Sequence, residues 1–298
     1  MHRYSIGELE KLSGIKAHTI RIWERRYDLI KPQRTATNIR NYDHEDLMRL
    51  LNVSILKQIG YKISRIAAFS NKELSSYVVD ASIDSDISDV VISTLVVAML
   101  ELDETKFLQV ITGFIERNGF EYTFENVIIP LIDRLGLMCD SGLMNPVQRN
   151  FIFNLIRQKL IVAIDELDTG DLNRTGRRII FFMPSKEWAE VILLYYSFIA
   201  RAEGFDVLYL GTSIELDSLK SGFDIREDDI LFFSVNEKCT DDELKRVVPF
   251  LNENYEKSLK IISGLNMEIK LKKIEGNLKN SRIVSSAGKF RKVVEEQE

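Results

Sequence analysis

The stretch Arg178-Ile-Ile-Phe-Phe-Met-Pro-Ser-Lys-Glu-Trp-Ala-Glu-Val191 joins a short apolar run to a long amphipathic segment. Such a run, followed by a turn and a helical period, is typical of a parallel strand and its crossover helix. The turn after the first strand is where α/β domains usually hold a ligand. This turn lacks the glycine, histidine or cysteine that phosphate, metal or cofactor binding would use. The turn thus lies where a ligand usually binds, but it has none of the side chains that would bind one.

The residues after this turn continue the alternation of apolar strands with amphipathic helices. An alternation of this kind predicts a doubly wound parallel sheet, here over residues 177–298. The predicted strands are 178–183, 205–210, 229–235, 259–263 and 282–285. The predicted helices are 187–204, 214–221 and 240–255.

The region before the sheet shows only the helical period, and its helices have the broad apolar faces that a packed bundle requires. Residues 82–169 are therefore predicted to form a four-helix bundle. Its predicted helices are 87–101, 103–118, 120–139 and 146–167. Polar residues around 69–71 and 80–89 predict linkers between domains.

The first 75 residues have the pattern of a winged helix-turn-helix. Ser5 and Glu8 form the capping-box spacing of a short helix, and Gly14 turns the chain into a second, basic helix over 16–26. A helix, a glycine-containing turn and a basic helix together favour DNA binding. The predicted elements that follow are a two-stranded wing at 31–42 and a helix from 43 to 60.

The charge of the chain is unevenly distributed. Residues 1–75 carry 14 Lys and Arg against 8 Asp and Glu, a charge of +6, whereas the remainder carries 26 against 37, a charge of −11. A basic segment on an acidic body indicates that the first domain meets a polyanion and that the body does not.

Composition excludes several classes of protein. No apolar run approaches the ~20 residues that span a bilayer, and the chain start has no signal-peptide pattern, so we expect a cytoplasmic protein. Cys139 and Cys239 have no CxxC spacing and no histidine beside them, which favours two buried thiols over a disulfide or a zinc site.

The run Thr19-Ile-Arg-Ile-Trp-Glu-Arg-Arg-Tyr27, followed by Pro32, Arg34, Arg40 and Tyr42, closely resembles the MerR family of transcription regulators. The resemblance covers about residues 3–70. It implies that the helix at 16–26 is a recognition helix in the major groove of DNA, with the wing on the adjacent phosphate backbone.

Eight residues are candidate DNA contacts. Arg21 and His18 lie opposite the expected core positions and can reach base edges, where arginine pairs with guanine. The candidate phosphate contacts are Lys16, Thr19, Arg34, Arg40 and the hydroxyl of Tyr42. Trp23 has two interpretations: its indole N–H can bind a phosphate, or its ring can belong to the core.

The order of a winged helix-turn-helix, a four-helix bundle and a flavodoxin-like domain resembles the cobalamin-dependent photoreceptor branch of that family. In that branch the first turn of the sheet carries Asp/Glu-x-His-x-x-Gly, whose histidine ligates cobalt. The matching positions here are Lys186, Trp188 and Val191. Tryptophan has no lone pair for a metal, and valine adds a side chain where the backbone must approach closely.

The bundle offers a second comparison with that branch, which caps the cofactor with Trp-x9-Glu-His. Aligned through residues 154–160, the matching positions are Cys139, Arg149 and Asn150. Six ligand positions are thus changed in two domains while the scaffold still resembles the family. We therefore expect no cofactor and no metal, and binding of cobalamin without a histidine ligand is the alternative.

Together these features predict a sequence-specific DNA-binding transcription regulator that is not an enzyme. The expected partners are double-stranded promoter DNA and further copies of the chain, in a homodimer or homotetramer, with RNA polymerase as a candidate and no membrane. The body is expected to join protomers or to sense an unknown effector. A component of a cobalamin-dependent methyltransferase is the enzymatic alternative, but His2, His18 and His44 all lie in the first domain.

Overall fold

The computed structural model describes residues 3–34, 38–167, 176–184, 190–235, 240–264 and 268–296. The chain divides into two compact units, Met1–Phe151 and Ile152–Glu298. The first unit is helical apart from a small ribbon, and the second is built on a parallel sheet. The division into three domains predicted from the sequence stays a prediction.

The first unit begins with the predicted helix-turn-helix. Helix α1 (Ile6–Ser13) starts at a capping box in which Ser5 and Glu8 bind each other's backbone N–H, and it ends at Gly14 with φ 70°. That left-handed conformation suits glycine because it has no Cβ to clash. Helix α2 (Ala17–Tyr27) follows directly.

The wing is the small antiparallel ribbon of β1 (Gln33–Arg34) and β2 (Arg40–Asn41). Residues 35–37 at its tip lie outside the described residues. Immediately after it, Tyr42 forms an isolated antiparallel bridge with Tyr4, so the start of the chain is held against the end of the wing. The predicted wing is thus present.

Helix α3 (His44–Gln58) begins at a second capping box, between Asp43 and Asp46. A short helix α4 (Ile63–Ile66) and helix α5 (Asn71–Ile83) follow. The polar residues predicted as a linker around 69–71 join α4 to α5, and Ser70 with Glu73 forms a third capping box that starts α5.

The second segment predicted as a linker, 80–89, is helical at both of its ends. The end of α5 occupies 80–83, and α6 begins at Ser88. Leu74, Val78 and Ser82 of α5 are buried, and Ser82 shares a hydrogen bond of 2.6 Å with Thr94 of α6. Burial of one face explains why this moderately polar segment is an ordered helix.

The predicted bundle helices are present as α6 (Ser88–Glu101), α7 (Glu104–Asn118), α8 (Phe120–Thr123), α9 (Ile129–Asp140) and α10 (Pro146–Leu167). The one helix predicted at 120–139 is interrupted by a π-helical turn, Phe124–Ile128. Pro130 follows that turn, and a proline cannot donate the next helical hydrogen bond. Across the described ranges, each helix is too short or too polar to span a lipid bilayer.

The second unit contains a five-stranded, fully parallel sheet in the order β4-β3-β5-β6-β7. This is the flavodoxin-like order, so the predicted doubly wound sheet is confirmed. The strands are β3 (Arg178–Met183), β4 (Asp206–Thr212), β5 (Ile230–Ser234), β6 (Lys260–Ser263) and β7 (Ser281–Val284).

Five helices accompany the sheet: α11 (Glu190–Ala202), α12 (Leu216–Ser221), α13 (Asp241–Asn254), α14 (Glu268–Glu275) and α15 (Ala287–Glu295). The sequence did not predict the last two, which are rich in lysine and glutamate. Each nevertheless buries a few apolar residues, among them Leu271 and Ile274 in α14 and Phe290 in α15. Charged residues on the rest of these short helices conceal the apolar period.

Candidate functional site

Helix α2 presents an exposed stripe along one side. His18, Arg21, Ile22 and Arg25 follow the i, i+3, i+4 and i+7 spacing of one helix face, and all are exposed, whereas Ile20 is fully buried. The sequence prediction placed His18 and Arg21 on this face. It missed Ile22, which is 43% exposed and shares the stripe by spacing alone.

The start of α2 is held by α1 rather than by a cap of its own. A carboxylate oxygen of Glu10 accepts from the backbone N–H of Ala17 at 3.0 Å, and the other lies 3.1 Å from Nζ of Lys16. The Ala17 N–H and then Lys16 lower the pKa of Glu10. Lys16 is exposed, and Thr19 is half-buried with its hydroxyl 3.3 Å from Nε2 of His18.

Trp23 is half-buried on the same helix. This exposure fits neither of its two sequence interpretations completely, since part of the ring is packed and part is accessible. Arg25 donates through Nε to the carbonyl of Arg21 at 3.3 Å, and the guanidinium of Arg26 lies 5.6 Å from the ring centre of Tyr27. The end of α2 therefore carries further positive charge beyond Arg21.

The two arginines of the wing differ in exposure and in the residues that they contact. Arg34 is exposed, and its Nη1 donates to Oδ1 of Asn38 at 2.6 Å. Arg40 is half-buried, with Nε 3.3 Å from a carboxylate oxygen of Glu24. Its charge is therefore partly balanced inside the domain.

Tyr42 is a core residue, which corrects its assignment as a phosphate contact. Its side chain is 0% exposed, and its hydroxyl donates to Oε2 of Glu24 at 3.4 Å. Burial, followed by the charge of Glu24, raises the pKa of Tyr42 to about 12. The sequence alone could not place this side chain, because its burial depends on how the wing packs against α2.

In the second unit, two of the three altered ligand positions, Lys186 and Trp188, lie outside the described residues. The third, Val191, is in the first turn of α11 and is only 3% exposed. Its neighbour Glu190 accepts from Nε of Arg157 at 2.9 Å. Where the cobalamin pattern has glycine, this chain has a packed valine.

A small recess lies between the carboxyl ends of β3 and β5 and the start of α13. The recess, lined by Pro184, Ser234, Val235 and Leu244, has a volume of about 10 Å³, which is about the space of one water molecule. Ser234 is buried without a hydrogen-bond partner for its hydroxyl among the described atoms.

The altered cap positions lie at the junction of α9 and α10. Nη1 of Arg149 is 4.0 Å from Sγ of Cys139, and Asn150 is exposed. Cys139 is exposed and free, so the expectation of a buried thiol was wrong at this position, and Cys239 lies outside the described residues. Within the described ranges, no three His, Cys, Asp or Glu side chains are grouped as a metal site would require.

A winged helix-turn-helix that exposes a basic stripe on its second helix defines a DNA-binding transcription regulator. Residues 4–73 match the family model described as MerR HTH family regulatory protein, so this domain belongs to that family. The chain thus carries a MerR-type helix-turn-helix domain together with a parallel sheet of the flavodoxin-like order.

Two relatives show how far the similarity extends. The chain is 24% identical over 222 residues to the HTH-type transcriptional repressor CarH of Myxococcus xanthus, covering 72% of this chain and 73% of CarH. It is 33% identical over 75 residues to the HTH-type transcriptional regulator MlrA of Salmonella typhimurium, covering 25% of this chain and 31% of MlrA. The second similarity concerns about a third of that relative.

Solved structures with a partial likeness include two corrinoid proteins. One is the monomethylamine corrinoid protein of Methanosarcina barkeri, with a TM-score of 0.46 and 14% identity, covering 77% of this chain and 100% of that chain. Another is a cobalamin-binding protein of Desulfitobacterium hafniense DCB-2, with a TM-score of 0.35 and 15% identity, covering 75% and 98%.

Proposed function

We propose that this chain is a sequence-specific regulator that binds a two-fold symmetric promoter site as a homodimer or homotetramer. The exposed stripe of α2 carries the proposal, because it presents Arg21 and His18 on the face away from the buried Ile20. An arginine so placed can donate two hydrogen bonds to O6 and N7 of one guanine in the major groove.

Three neighbouring side chains add backbone contacts. Lys16 is at the N-cap position of α2, Thr19 lies in its first turn, and Arg34 is exposed on the wing. Contacts of these kinds position a protein on DNA without reading its sequence. Arg40 contributes less because Glu24 already binds it. The partly exposed ring of Trp23 is proposed to support the helix, with its N–H as a phosphate donor.

Footprinting of the full chain on promoter fragments tests this proposal. We expect Arg21→Ala to lose discrimination between specific and random DNA by about tenfold or more, since one bidentate pair discriminates by about 1–3 kcal/mol. The matched control is Arg117→Ala on α7, whose arginine pairs with Asp84 in the bundle. Unchanged footprints with Arg21→Ala would reject the assignment.

We further propose that the sheet domain has lost cobalamin binding. Support comes from the buried Val191 where the cobalamin pattern has glycine, and from Cys139 and Arg149 at the cap positions. These side chains do not supply the ligand and the space that the cobalamin pattern uses. The domain then serves to join protomers or to sense another effector.

Gel filtration after incubation with adenosylcobalamin or methylcobalamin tests the loss. The expected result is a colourless protein peak, and a stable coloured complex would contradict the proposal. That coloured outcome is the second candidate function, a cobalamin-responsive regulator without a histidine ligand. The resemblance of residues 154–160 to cobalamin-dependent regulators favours it.

Light scattering on the eluted full chain tests the assembly. A dimer or tetramer is expected, because two-fold DNA sites mirror the symmetry of the protein that binds them, and a monomer at all concentrations would contradict it. RNA polymerase and a cytoplasmic location belong to the same proposal. Both follow from action at promoters.

A further inference from the structure

A cavity lies inside the first compact unit, next to the turn of the helix-turn-helix. We name it the turn cavity; its volume is about 310 Å³, and its walls include Lys11, Ser13, Ile55, Asp89, Ser93 and Arg134. These residues come from α1 and the turn after it, α3, α6 and α9. Its volume is at the lower end of the range of small-molecule sites.

Arg134 is the most informative residue in this cavity. Its Nη1 donates to Oγ of Ser93 at 3.0 Å, and a guanidinium has five N–H donors in all. Burial lowers the pKa of Arg134, and the charge of Asp89 only partly opposes this. In the described part of the chain, no carboxylate reaches ion-pair distance of Arg134. A desolvated cation with donors to spare is a site for an anion.

The charges around the cavity favour the same sign of ligand. Lys11 contributes a second positive charge from α1, Gln58 of α3 is neutral, and Asp89 is exposed at the start of α6. Lys11 and Asp89 are both exposed, so water screens their charges alike, and the half-buried guanidinium of Arg134 is the least screened charge in the cavity. The balance of charge in the cavity is therefore positive.

The apolar part of the wall determines what kind of anion fits. Leu12, Leu51 and Ile55 line the cavity and are buried. Their exposed fractions are 9%, 5% and 1%, so only a narrow apolar strip of the wall faces the cavity. An organic anion would cover this strip, which an inorganic ion at Arg134 would leave against water.

We propose that the turn cavity binds a small organic carboxylate, with its charged group on Arg134 and Ser93 and its apolar body on Leu12, Leu51 and Ile55. Such a ligand would bridge the turn before α2 and helices of the bundle. Bound there, it would change the freedom of the recognition helix and hence the affinity for DNA. That last consequence rests on the proposed function, whereas the binding itself does not.

Calorimetric titration of the full chain with sodium benzoate, in the absence of DNA, tests the proposal. Inorganic phosphate at equal ionic strength is the comparison. We expect saturable binding of one benzoate per chain and weaker binding of phosphate, which cannot cover the apolar wall. Absence of saturable benzoate binding, or phosphate binding that is equally strong, would overturn the proposal.

Variants locate the bound anion. Arg134→Gln should weaken benzoate binding by about tenfold or more, since a charge-assisted hydrogen bond is lost, while Arg117→Gln should leave it unchanged. Equal binding by wild type and Arg134→Gln would place benzoate elsewhere and refute the site. If Arg134→Gln fails to fold, Lys11→Gln decides: its exposed side chain is dispensable for folding, and it should weaken binding a few-fold.

A DNA-binding measurement separates the proposal of a ligand site from the proposed function of the chain. If benzoate binds but the chain does not bind DNA, the proposed function fails and the turn cavity stands as a ligand site. If the chain binds DNA but benzoate does not bind, the cavity proposal fails alone.

Discussion

The hydroxyl of Tyr42 lies 3.4 Å from Oε2 of Glu24, which fastens the residue after the wing to helix α2. The same carboxylate group holds Arg40 at 3.3 Å. Glu24 is thus shared by two residues that the sequence offered as phosphate contacts. The wing is positioned by an acidic residue of the helix that is proposed to read the DNA.

The Tyr42→Phe variant tests whether the hydroxyl of Tyr42 stabilises the domain or contacts DNA. We expect stability to fall by about 1 kcal/mol, because one hydrogen bond of a buried hydroxyl is lost, while DNA affinity stays within about twofold of wild type. Urea unfolding and gel-shift titration measure the two effects. A large loss of DNA affinity with unchanged stability would restore the hydroxyl as a phosphate contact.

Arg49 should be a main determinant of the stability of the first unit. Its guanidinium donates to the carbonyls of Leu29 at 2.7 Å and Phe69 at 3.0 Å and to Oδ1 of Asn71 at 2.6 Å. Arg49→Met leaves these acceptors without a donor, so we expect a loss of roughly 2–4 kcal/mol in urea unfolding.

The control for Arg49 is Arg65→Met. Arg65 is exposed, and its guanidinium lies 5.2 Å from the ring centre of Tyr61, so the expected loss is below about 1 kcal/mol. Similar losses for both variants would show that the hydrogen bonds of Arg49 do not hold α3 to the α4–α5 turn.

Burial of Lys260 predicts that the free energy of unfolding of the second unit depends on pH. The side chain is 0% exposed, and burial lowers its pKa from 10.5 to about 8. Between these values the unfolded chain holds a proton that the folded chain lacks, so this residue makes the free energy of unfolding rise with pH from about 8 to 10.5. The full shift corresponds to roughly 3 kcal/mol.

Lys260→Met removes this ionisation. We expect the variant to gain stability relative to wild type at pH 7, and the gain to shrink as the pH is raised toward 10. The hydrogen bond from Nζ to the carbonyl of Glu256, at 3.0 Å, is lost at every pH and lowers the gain by a constant amount. A difference in unfolding free energy that does not vary with pH would contradict the assignment.

The Val191→Gly variant tests whether the position that matches the glycine of the cobalamin pattern is filled by packed side-chain atoms. Because Val191 is 3% exposed and helical, its removal should cost about 2–4 kcal/mol from the lost packing and the helix propensity of glycine. Thermal or urea unfolding measures the loss, with Val191→Ala as the intermediate variant. A loss below about 1 kcal/mol would mean that the valine occupies space that a ligand could use.

Patterns within short windows determined much of the architecture. Period and capping residues gave α1, α2 and α3 nearly as they are, since Ser5 with Glu8 specifies a helix start locally. Apolar runs separated by amphipathic helices specified the parallel sheet, whose strand β3 has the predicted bounds 178–183. These features need no information from distant residues.

The start of α5 could have been read locally from the capping-box spacing of Ser70 and Glu73. The packing of the segment before α5 and of the two terminal helices depends instead on distant residues. The polar residues at 69–71 looked like a linker, yet Arg49, some 20 positions earlier, binds the carbonyl of Phe69 and the side chain of Asn71. Helix α15 became evident only from the burial of Phe290 and Val294. Contacts between distant segments supply the free energy that such short helices lack alone.

The sequence by itself predicted the winged helix-turn-helix through its resemblance to the MerR family, and the exposed face of α2 through the i, i+3 spacing of His18 and Arg21. Only the tertiary structure decided which polar groups are available. It buried Tyr42 against Glu24, exposed Cys139, and enclosed a cavity around Arg134 from four separate elements. Burial depends on how segments meet in space, and no window of neighbouring residues contains that information.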